Sequence, residues 1–156
     1  MSEALSSWNL LPCDGWDPLH PPGALSAAVA RTIEHITANF RSITQVEDIS
    51  QAIGFPYNTL RQVFRRETGF TLSGFLTLVR VREALRLLDE TDRQIKEISW
   101  RVGFDYEGRL VRAFLRLTGQ TPQYVRTRNR LARLVRDCLS RSDRLPKSEL
   151  QVKNDD

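Results

Sequence analysis

The chain has few of the side chains that bind metal ions or catalyse reactions. Its 156 residues include only two cysteines and two histidines, Cys13, Cys138, His20 and His35. The cysteines lie far apart without a CxxC spacing, so a four-ligand zinc site cannot be assembled from cysteine and histidine. No glycine-rich phosphate loop and no Ser/His/Asp or Cys/His constellation is present. We therefore expect that the protein is not an enzyme and binds no metal ion and no cofactor. We also expect it to be cytoplasmic, with both cysteines as reduced thiols.

Long apolar runs are also missing. None approaches the roughly 20 residues that cross a bilayer, and the first seven residues lack the basic start and apolar core of a secretory signal. With 40% hydrophobic and 27% charged residues, the composition is that of one ordinary globular domain or two small ones. A protein without membrane contact is expected.

Lysine is scarce, and the basic charge is carried by arginine. Only three of the 23 basic residues are lysine. Between Arg109 and Arg144, ten arginines accompany two acids, a local balance of +8, so the remainder of the chain sums to −4 against a net charge of +4. Arginine suits bidentate recognition of phosphate and of guanine edges. Such a stretch is usually a solvated helix face, and it indicates nucleic acid only beside a recognition motif.

One motif occurs twice. Residues 49–57 (ISQAIGFPY) return as residues 98–106 (ISWRVGFDY), an offset of 49. At an offset of 50, Leu60, Phe64, Arg66, Thr68, Gly69 and Thr71 recur as Leu110, Phe114, Arg116, Thr118, Gly119 and Thr121. Internal repeats decide a fold, and each copy places a small residue four positions before a turn glycine. This pattern predicts two helix-turn-helix units.

The periodicity predicts an all-α fold with two homeodomain-like three-helix lobes joined by a long connecting helix. An irregular N-terminal arm covers residues 1–23, and the main domain covers residues 24–128. Within it we expect the first helix-turn-helix at about 45–68, the connecting helix at about 72–89 and the second helix-turn-helix at about 94–118. An amphipathic helical extension at 129–141 and a disordered tail at 142–156 follow. Thr44 and Glu47 have the form of a capping box.

These residues and their order resemble the DNA-binding domain of AraC/XylS-type transcription regulators over about residues 33–128. The matching stretches are VGF at 102–104, RAF at 112–114, GQTPQYVR at 119–126 and FRRETGFT at 64–71, with Arg80, Ala84, Leu87 and Leu88 in the connecting helix. The resemblance implies a seven-helix, sequence-specific DNA-binding transcription regulator. Its two recognition helices would enter successive major-groove segments about 34 Å apart.

The resemblance also implies partners. The chain would bind double-stranded promoter DNA at the nucleoid as a monomer, on an asymmetric site. Family members commonly carry a sensing domain before this module, and only about 30 irregular residues precede it here, so a stand-alone form is expected. Activation through contact with RNA polymerase is the family's commonest mode, and a repressor is not excluded.

Residues of the first recognition helix are assigned by position. The resemblance places Tyr57, Asn58, Arg61 and Gln62 where the family contacts bases. Edge matching pairs Arg61 with a guanine, and Gln62 or Asn58 with an adenine. Arg65 and Arg66 lie further along and are assigned to phosphate. We expect this helix to carry much of the specificity.

The second recognition helix matches less well. Its expected groove face contains Asp105, Tyr106, Glu107, Gly108, Arg109, Val111 and Arg112. Arg109 and Arg112 suit DNA, and Glu107 would accept from a cytosine amino group. Asp105 is interpreted as an N-cap, Gly108 weakens the helix, and the extra residue of this copy is placed at the helix tip. Backbone contacts are expected from Arg116, Arg126 and Arg128.

An apolar stripe follows the domain. Leu131, Leu134, Val135, Cys138 and Leu139 lie at helical spacing. The stripe either packs on its own domain or forms a dimer contact through residues 131–139. A second functional hypothesis is a helical interaction module with weak, non-specific DNA binding, which would bind another regulator or polymerase through this stripe. The carboxylates and Gly108 of the second helix motivate that alternative.

Overall fold

Seven helices make up the described part of the chain. The computed structural model describes residues 25–142, and no strand forms within them. The helices are α1 (Ala27–Asn39), α2 (Glu47–Ile53), α3 (Tyr57–Thr68), α4 (Leu72–Glu90), α5 (Ile95–Arg101), α6 (Glu107–Thr118) and α7 (Pro122–Ser142). The prediction of an all-α fold is confirmed. Within this part of the chain, no helix has both the length and the apolar composition needed to cross a bilayer.

Two hydrophobic cores share the connecting helix α4. Lobe one consists of α1, α2, α3 and the first half of α4, and lobe two consists of the second half of α4 with α5, α6 and the start of α7. Phe40, just after α1, packs against both cores. Because one helix is built into both cores, the lobes are fixed to each other more firmly than a flexible linker would allow. From α4 the first core receives Leu72, Phe75, Leu76 and Val79, and the second receives Val81, Ala84, Leu87 and Leu88.

Each helix-turn-helix bends at a glycine in the left-handed region. Gly54 has φ 70° and Gly103 has φ 90°, where a side chain with a Cβ is strained. The residue after each glycine donates its backbone N–H to the carbonyl of Ser50 (3.1 Å) or of Ser99 (3.0 Å). Both serines are buried between the helices of their unit. Because their side chains are small, the two helices can cross closely at this point.

The capping box predicted before α2 is wrong. The helix begins at Glu47 with Val46 as N-cap, and no side chain caps it. Asp48 instead accepts from the Gln45 backbone N–H at 3.4 Å and lies 3.5 Å from the Thr44 hydroxyl. An acidic residue in the first turn still favours the helix, because it faces the positive end of the helix dipole.

The C-terminal helix is continuous where the sequence suggested two segments. α7 runs from Pro122 through the expected boundary at 128/129, and Val125, 2% exposed, anchors its start in the second core. Further along, Leu131, Leu134 and Val135 are 62%, 62% and 51% exposed. The stripe therefore does not pack on its own domain over these residues. The predicted arm, the predicted tail beyond Ser142, and the side chains of Cys138 and Leu139 lie outside what the structure describes.

Candidate nucleic-acid interface

The outward face of α3 is polar, basic and unoccupied by the rest of the described chain. Leu60, Phe64 and Thr68 are buried on the inner face, while Asn58, Arg61, Gln62, Arg65 and Arg66 are exposed on the outer one. Within residues 25–142, the side chains of Asn58, Arg61 and Gln62 have no hydrogen-bond or ion-pair partner. Their donors and acceptors are available to a ligand.

Two other predicted residues of this helix have internal contacts. Tyr57, the first residue of α3, is partly buried and packs against the first core. The Arg66 guanidinium lies 3.5 Å from the Glu67 carboxylate. Ion pairs this exposed contribute little and exchange easily, so Arg66 remains able to contact phosphate. Tyr57 has less surface to offer than its neighbours.

The first two basic side chains of α6, Arg109 and Arg112, are held by partners at its own N-terminus. Arg109 forms an ion pair with Asp105. Arg112 donates to the Tyr106 hydroxyl at 2.5 Å and to the Gly108 carbonyl at 3.3 Å, with its guanidinium carbon 6.0 Å from the centre of the Tyr106 ring. The sequence suggested Asp105 as the N-cap of α6, and this prediction is wrong, because Tyr106 occupies that position. The Asp105 carboxylate is turned to Arg109 instead.

Gly108 makes room for the Tyr106 ring. A Cβ added to Gly108 would lie 3.1 Å from the nearest carbon of that ring, closer than nearly all such contacts. The sequence suggested that this glycine weakens the helix, and in the structure its missing Cβ lets Tyr106 fold back over the first turn of α6 and reach Arg112. The first turn is thereby shaped differently from that of α3.

The extra residue of copy two lies in the turn, and the prediction that it lies at the helix tip is wrong. α3 begins three residues after Gly54, whereas α6 begins four residues after Gly103. From the first helical residue onward the offset is therefore 50. This register pairs Asn58 with Gly108, Arg61 with Val111, Gln62 with Arg112, Arg65 with Leu115 and Arg66 with Arg116. Two basic positions of α3 are thus aliphatic in α6.

Arg126 is part of the structure of lobe two and does not contact solvent freely. It is 8% exposed, and its guanidinium donates to the Arg93 carbonyl before α5. Burial lowers the pKa of Arg126 below its ordinary value, with repulsion from Arg130 adding to the effect. The predicted DNA-backbone contact of Arg126 stays a prediction, and this burial and internal hydrogen bond do not favour it. Arg116 is exposed on α6, and Arg128 is partly buried, 3.4 Å from the Gln120 side-chain oxygen.

A family model described as a helix-turn-helix domain matches residues 49–128, which is 80 of the 156 residues. Solved structures of AraC-type DNA-binding domains share the fold. The chain belongs to the AraC-type helix-turn-helix family. The matched residues include α3, α4, α5 and α6, so both candidate recognition helices lie within the family domain.

A curated transcriptional activator is similar in sequence to this AraC-type domain. The HTH-type transcriptional activator RhaR of Escherichia coli (strain K12) is 30% identical over 109 residues, which cover 70% of this chain and 39% of RhaR. The chain therefore spans about two fifths of the length of the curated relatives it matches.

Two solved domains match at similar levels. The C-terminal domain of AraT, a response regulator from Geobacillus stearothermophilus, is 28% identical with a TM-score of 0.64, over 67% of this chain and 88% of that chain. The DNA-binding domain of AdpA, solved in complex with a target DNA, is 27% identical with a TM-score of 0.65, over 69% of this chain and 97% of that chain.

The sequence analysis placed Val111 on the groove face without giving it a contact and left Leu115 out, although the two stand where α3 has Arg61 and Arg65. Leu115 is 47% exposed. The available signal was the spacing to Leu60 and Leu110, each the fourth residue of its helix. The offset of 50 that joins Leu60 to Leu110 already implied this correspondence.

Proposed function

We propose that this chain is a transcription regulator that binds promoter DNA by inserting α3 and α6 into successive segments of the major groove. The observation that carries the proposal is the outward face of α3, where Asn58, Arg61 and Gln62 are exposed and have no partner within the described chain. Polar side chains on the N-terminal half of a recognition helix are the groups that contact base edges. The AdpA domain, which shares this fold, was solved with a target DNA.

The first segment is read by hydrogen bonds. Arg61 presents a fork of donors that matches the O6 and N7 atoms of a guanine, and Asn58 or Gln62 matches an adenine edge. Arg65 and Arg66 lie one turn further along α3 and neutralise phosphates, which sets affinity without setting sequence. We assign most of the specificity to this helix.

The second segment is read with different chemistry. Val111 occupies the helical position of Arg61 and offers an apolar surface to a thymine methyl group. Arg112, held by Tyr106, keeps free N–H donors for the groove, and Glu107 accepts from a cytosine amino group. Arg109 and Arg116 contribute phosphate contacts. A monomer with two unlike helices suits a site without two-fold symmetry.

The biological setting follows from this activity. The protein would act on promoters in the bacterial cytoplasm, at the nucleoid. Activation through contact with RNA polymerase is proposed because RhaR is named as an activator. Transcription in vitro from a bound promoter, with and without the protein, gives the sign of regulation directly.

Self-association through α7 is a second candidate, and the exposure of Leu131, Leu134 and Val135 favours it. The arginines beside this stripe are partly neutralised, since Arg130 lies 2.6 Å from Asp92 and Arg133 lies 3.2 Å from Asp89. Sedimentation equilibrium over a range of concentrations tests the idea, with Leu131→Glu/Leu134→Glu as the matched variant. A monomer at all concentrations would remove this candidate and leave DNA binding untouched.

The main proposal is tested by titrating genomic DNA fragments with the protein and measuring its affinity for each at about 50 and 200 mM salt. Specific DNA binding predicts preferred fragments, and an affinity that falls by about 10³-fold or more between the two salt concentrations if six or more phosphates are contacted. Weak and uniform binding to all fragments would instead support the interaction module.

A further inference from the structure

The two cores meet at a single residue of α4. Val79 belongs to the first core and Val81 to the second, so Arg80 stands at the boundary between the lobes. It is a half-buried arginine on an otherwise apolar stretch of helix. A charged side chain in such a place needs partners, because burying an unpaired charge is costly.

Those partners come from both lobes. Arg80 Nε donates to the Phe40 carbonyl at 2.9 Å, and Nη2 donates to the Ile43 carbonyl at 2.6 Å. Both carbonyls belong to the segment between α1 and α2 in lobe one. On the other side, the guanidinium carbon lies 5.6 Å from the centre of the Phe104 ring, in the turn that leads into α6. One side chain therefore contacts the scaffold of each recognition helix.

Charges at the start of α6 act on the same guanidinium. Burial is the main reason that the pKa of Arg80 lies below its ordinary value, with repulsion from Arg109 adding to the effect and attraction to Asp105 opposing it. The Arg109–Asp105 pair stands at the N-terminal end of the second recognition helix. Arg80 is thus electrostatically linked to the helix it supports.

The second turn also touches lobe one directly. A Cβ on Gly103 would lie 2.9 Å from the Arg41 carbonyl oxygen and 3.0 Å from Arg80 Nε. The equivalent Gly54 in lobe one has nothing within 4 Å of such an atom. The close approach at Gly103 therefore belongs to the contact between lobes and is not a general property of the turn.

We propose that Arg80 is a positioning residue that sets the orientation of α6 relative to α3, and thereby the number of base pairs required between the two DNA segments. The inference rests on the proposed reading of DNA by both helices. One base pair turns the duplex by about 35°, so a rigid pair of lobes tolerates one spacing only. Loosening the contact at Arg80 lets lobe two adjust to a changed spacing.

The test compares spacings on one DNA site. The probe is a duplex selected from a random-sequence pool by the wild-type protein, together with versions that have one base pair inserted or removed between the segments. A fourth duplex keeps the first segment alone. Arg80→Met retains the aliphatic stem and removes the donors and the charge, and Arg80→Lys is the conservative variant. Arg86→Met is the matched control, because Arg86 pairs within α4, with Glu83 and Glu90.

We expect the wild type and Arg86→Met to lose about tenfold or more in affinity when the spacing changes, the size of one lost base contact. Arg80→Met should bind the selected duplex more weakly and lose less than about threefold on the altered ones. The loss of affinity of Arg80→Lys on the altered spacings should lie between those of the wild type and Arg80→Met. The affinity of each variant for the first segment alone should equal that of the wild type. Thermal unfolding of each variant corrects for the folded fraction.

If Arg80 had a purely structural role, Arg80→Met would weaken binding to every duplex by the same factor and leave the ratio of affinities between spacings unchanged. That result would overturn the inference about Arg80 and leave the two-helix proposal standing. A wild type that is indifferent to spacing overturns the two-helix proposal and this inference with it. If Arg80→Met does not fold, Arg80→Lys and Phe104→Leu carry the same comparison. Phe104→Leu removes the ring and leaves Arg80 in place, so a spacing ratio kept in both variants would also overturn the inference.

Discussion

The Tyr106 hydroxyl accepts a hydrogen bond from Arg112 across the first turn of α6, with 2.5 Å between the two atoms. The centre of the Tyr106 ring also lies 6.0 Å from the central carbon of the Arg112 guanidinium. Arginine has five N–H donors, so this contact orients Arg112 without exhausting it. The Tyr106–Arg112 pair gives α6 a preformed donor where α3 has the free Gln62.

A double-mutant cycle tests this pair on DNA. Tyr106→Phe should reduce affinity for the specific site by about threefold, because a coupling of roughly 0.5–1 kcal/mol is expected for side chains in contact. In an Arg112→Ala background the same change should have no further effect. Fluorescence anisotropy on one duplex measures all four proteins. Equal losses in both backgrounds would show that Tyr106 contacts DNA by itself.

Arg61 and Arg65 should behave differently although both are exposed arginines of α3. Arg61→Ala should cost about 1–3 kcal/mol on the selected site and relax specificity at one base pair. Arg65→Ala should weaken all sequences alike and reduce the salt slope by about 1. Competition against single-base variants of the site, repeated at two salt concentrations, separates the two. If Arg61→Ala weakened all variants equally, Arg61 would be a phosphate contact.

Much of this fold was predictable because its signals are local. Turn glycines such as Gly54 and Gly103 and core positions such as Phe64 and Phe114 follow from spacing, and the structure has them as expected. Helix ends were harder, since Thr44 and Glu47 have the right residue types for a capping box and a neighbouring acid, Asp48, takes the contact.

The candidate interface was less predictable than the fold. A sequence shows that Arg126 is basic but not that the residues around it bury it. It shows an extra residue in copy two but not whether the turn or the helix absorbs it. The repeated tyrosines Tyr57 and Tyr106 look equivalent in the sequence. In the structure Tyr57 packs on the first core, whereas Tyr106 lies over the first turn of α6. These outcomes depend on contacts between distant parts of the chain.

The two turn glycines provide a matched pair for stability. Gly54→Ala should lower the free energy of unfolding by about 1–2 kcal/mol, the cost of a left-handed conformation for a residue with a Cβ. Gly103→Ala should cost about 1–3 kcal/mol more, because the added atom meets the backbone of Arg41 and overpacks the contact between lobes. Urea unfolding of both variants measures the difference. Equal costs would mean that the lobes separate slightly without penalty.

Acid should weaken the attachment of α1 to α3. The Glu67 carboxylate accepts from the Ser26 backbone N–H and from its hydroxyl, both at 2.9 Å. The backbone hydrogen bond from Ser26 is the main reason that the pKa of Glu67 lies below its ordinary value. Glu67 therefore stabilises the fold above its unfolded pKa of about 4.3, and this contribution disappears as pH falls through the lower folded value.

Glu67→Gln should accordingly be less stable than the wild type near pH 7 and nearly equal to it near pH 3. Urea midpoints at a series of pH values measure the convergence. A difference between Glu67→Gln and wild type that stays constant with pH would contradict the assignment.

Val111 provides the sharpest test of unlike chemistry in the two helices. If it contacts a thymine methyl group, replacing that thymine by deoxyuridine removes one methyl and should weaken wild-type binding by about fourfold, since a buried methyl is worth about 0.8 kcal/mol. Val111→Ala should bind the thymine duplex more weakly and be insensitive to the replacement. Arg61→Ala serves as the control and should keep the wild-type sensitivity, because its contacts lie in the other segment. A set of duplexes, each with one thymine replaced, locates the contact. If Val111→Ala responded to every replacement as the wild type does, the apolar position of α6 would not face a base.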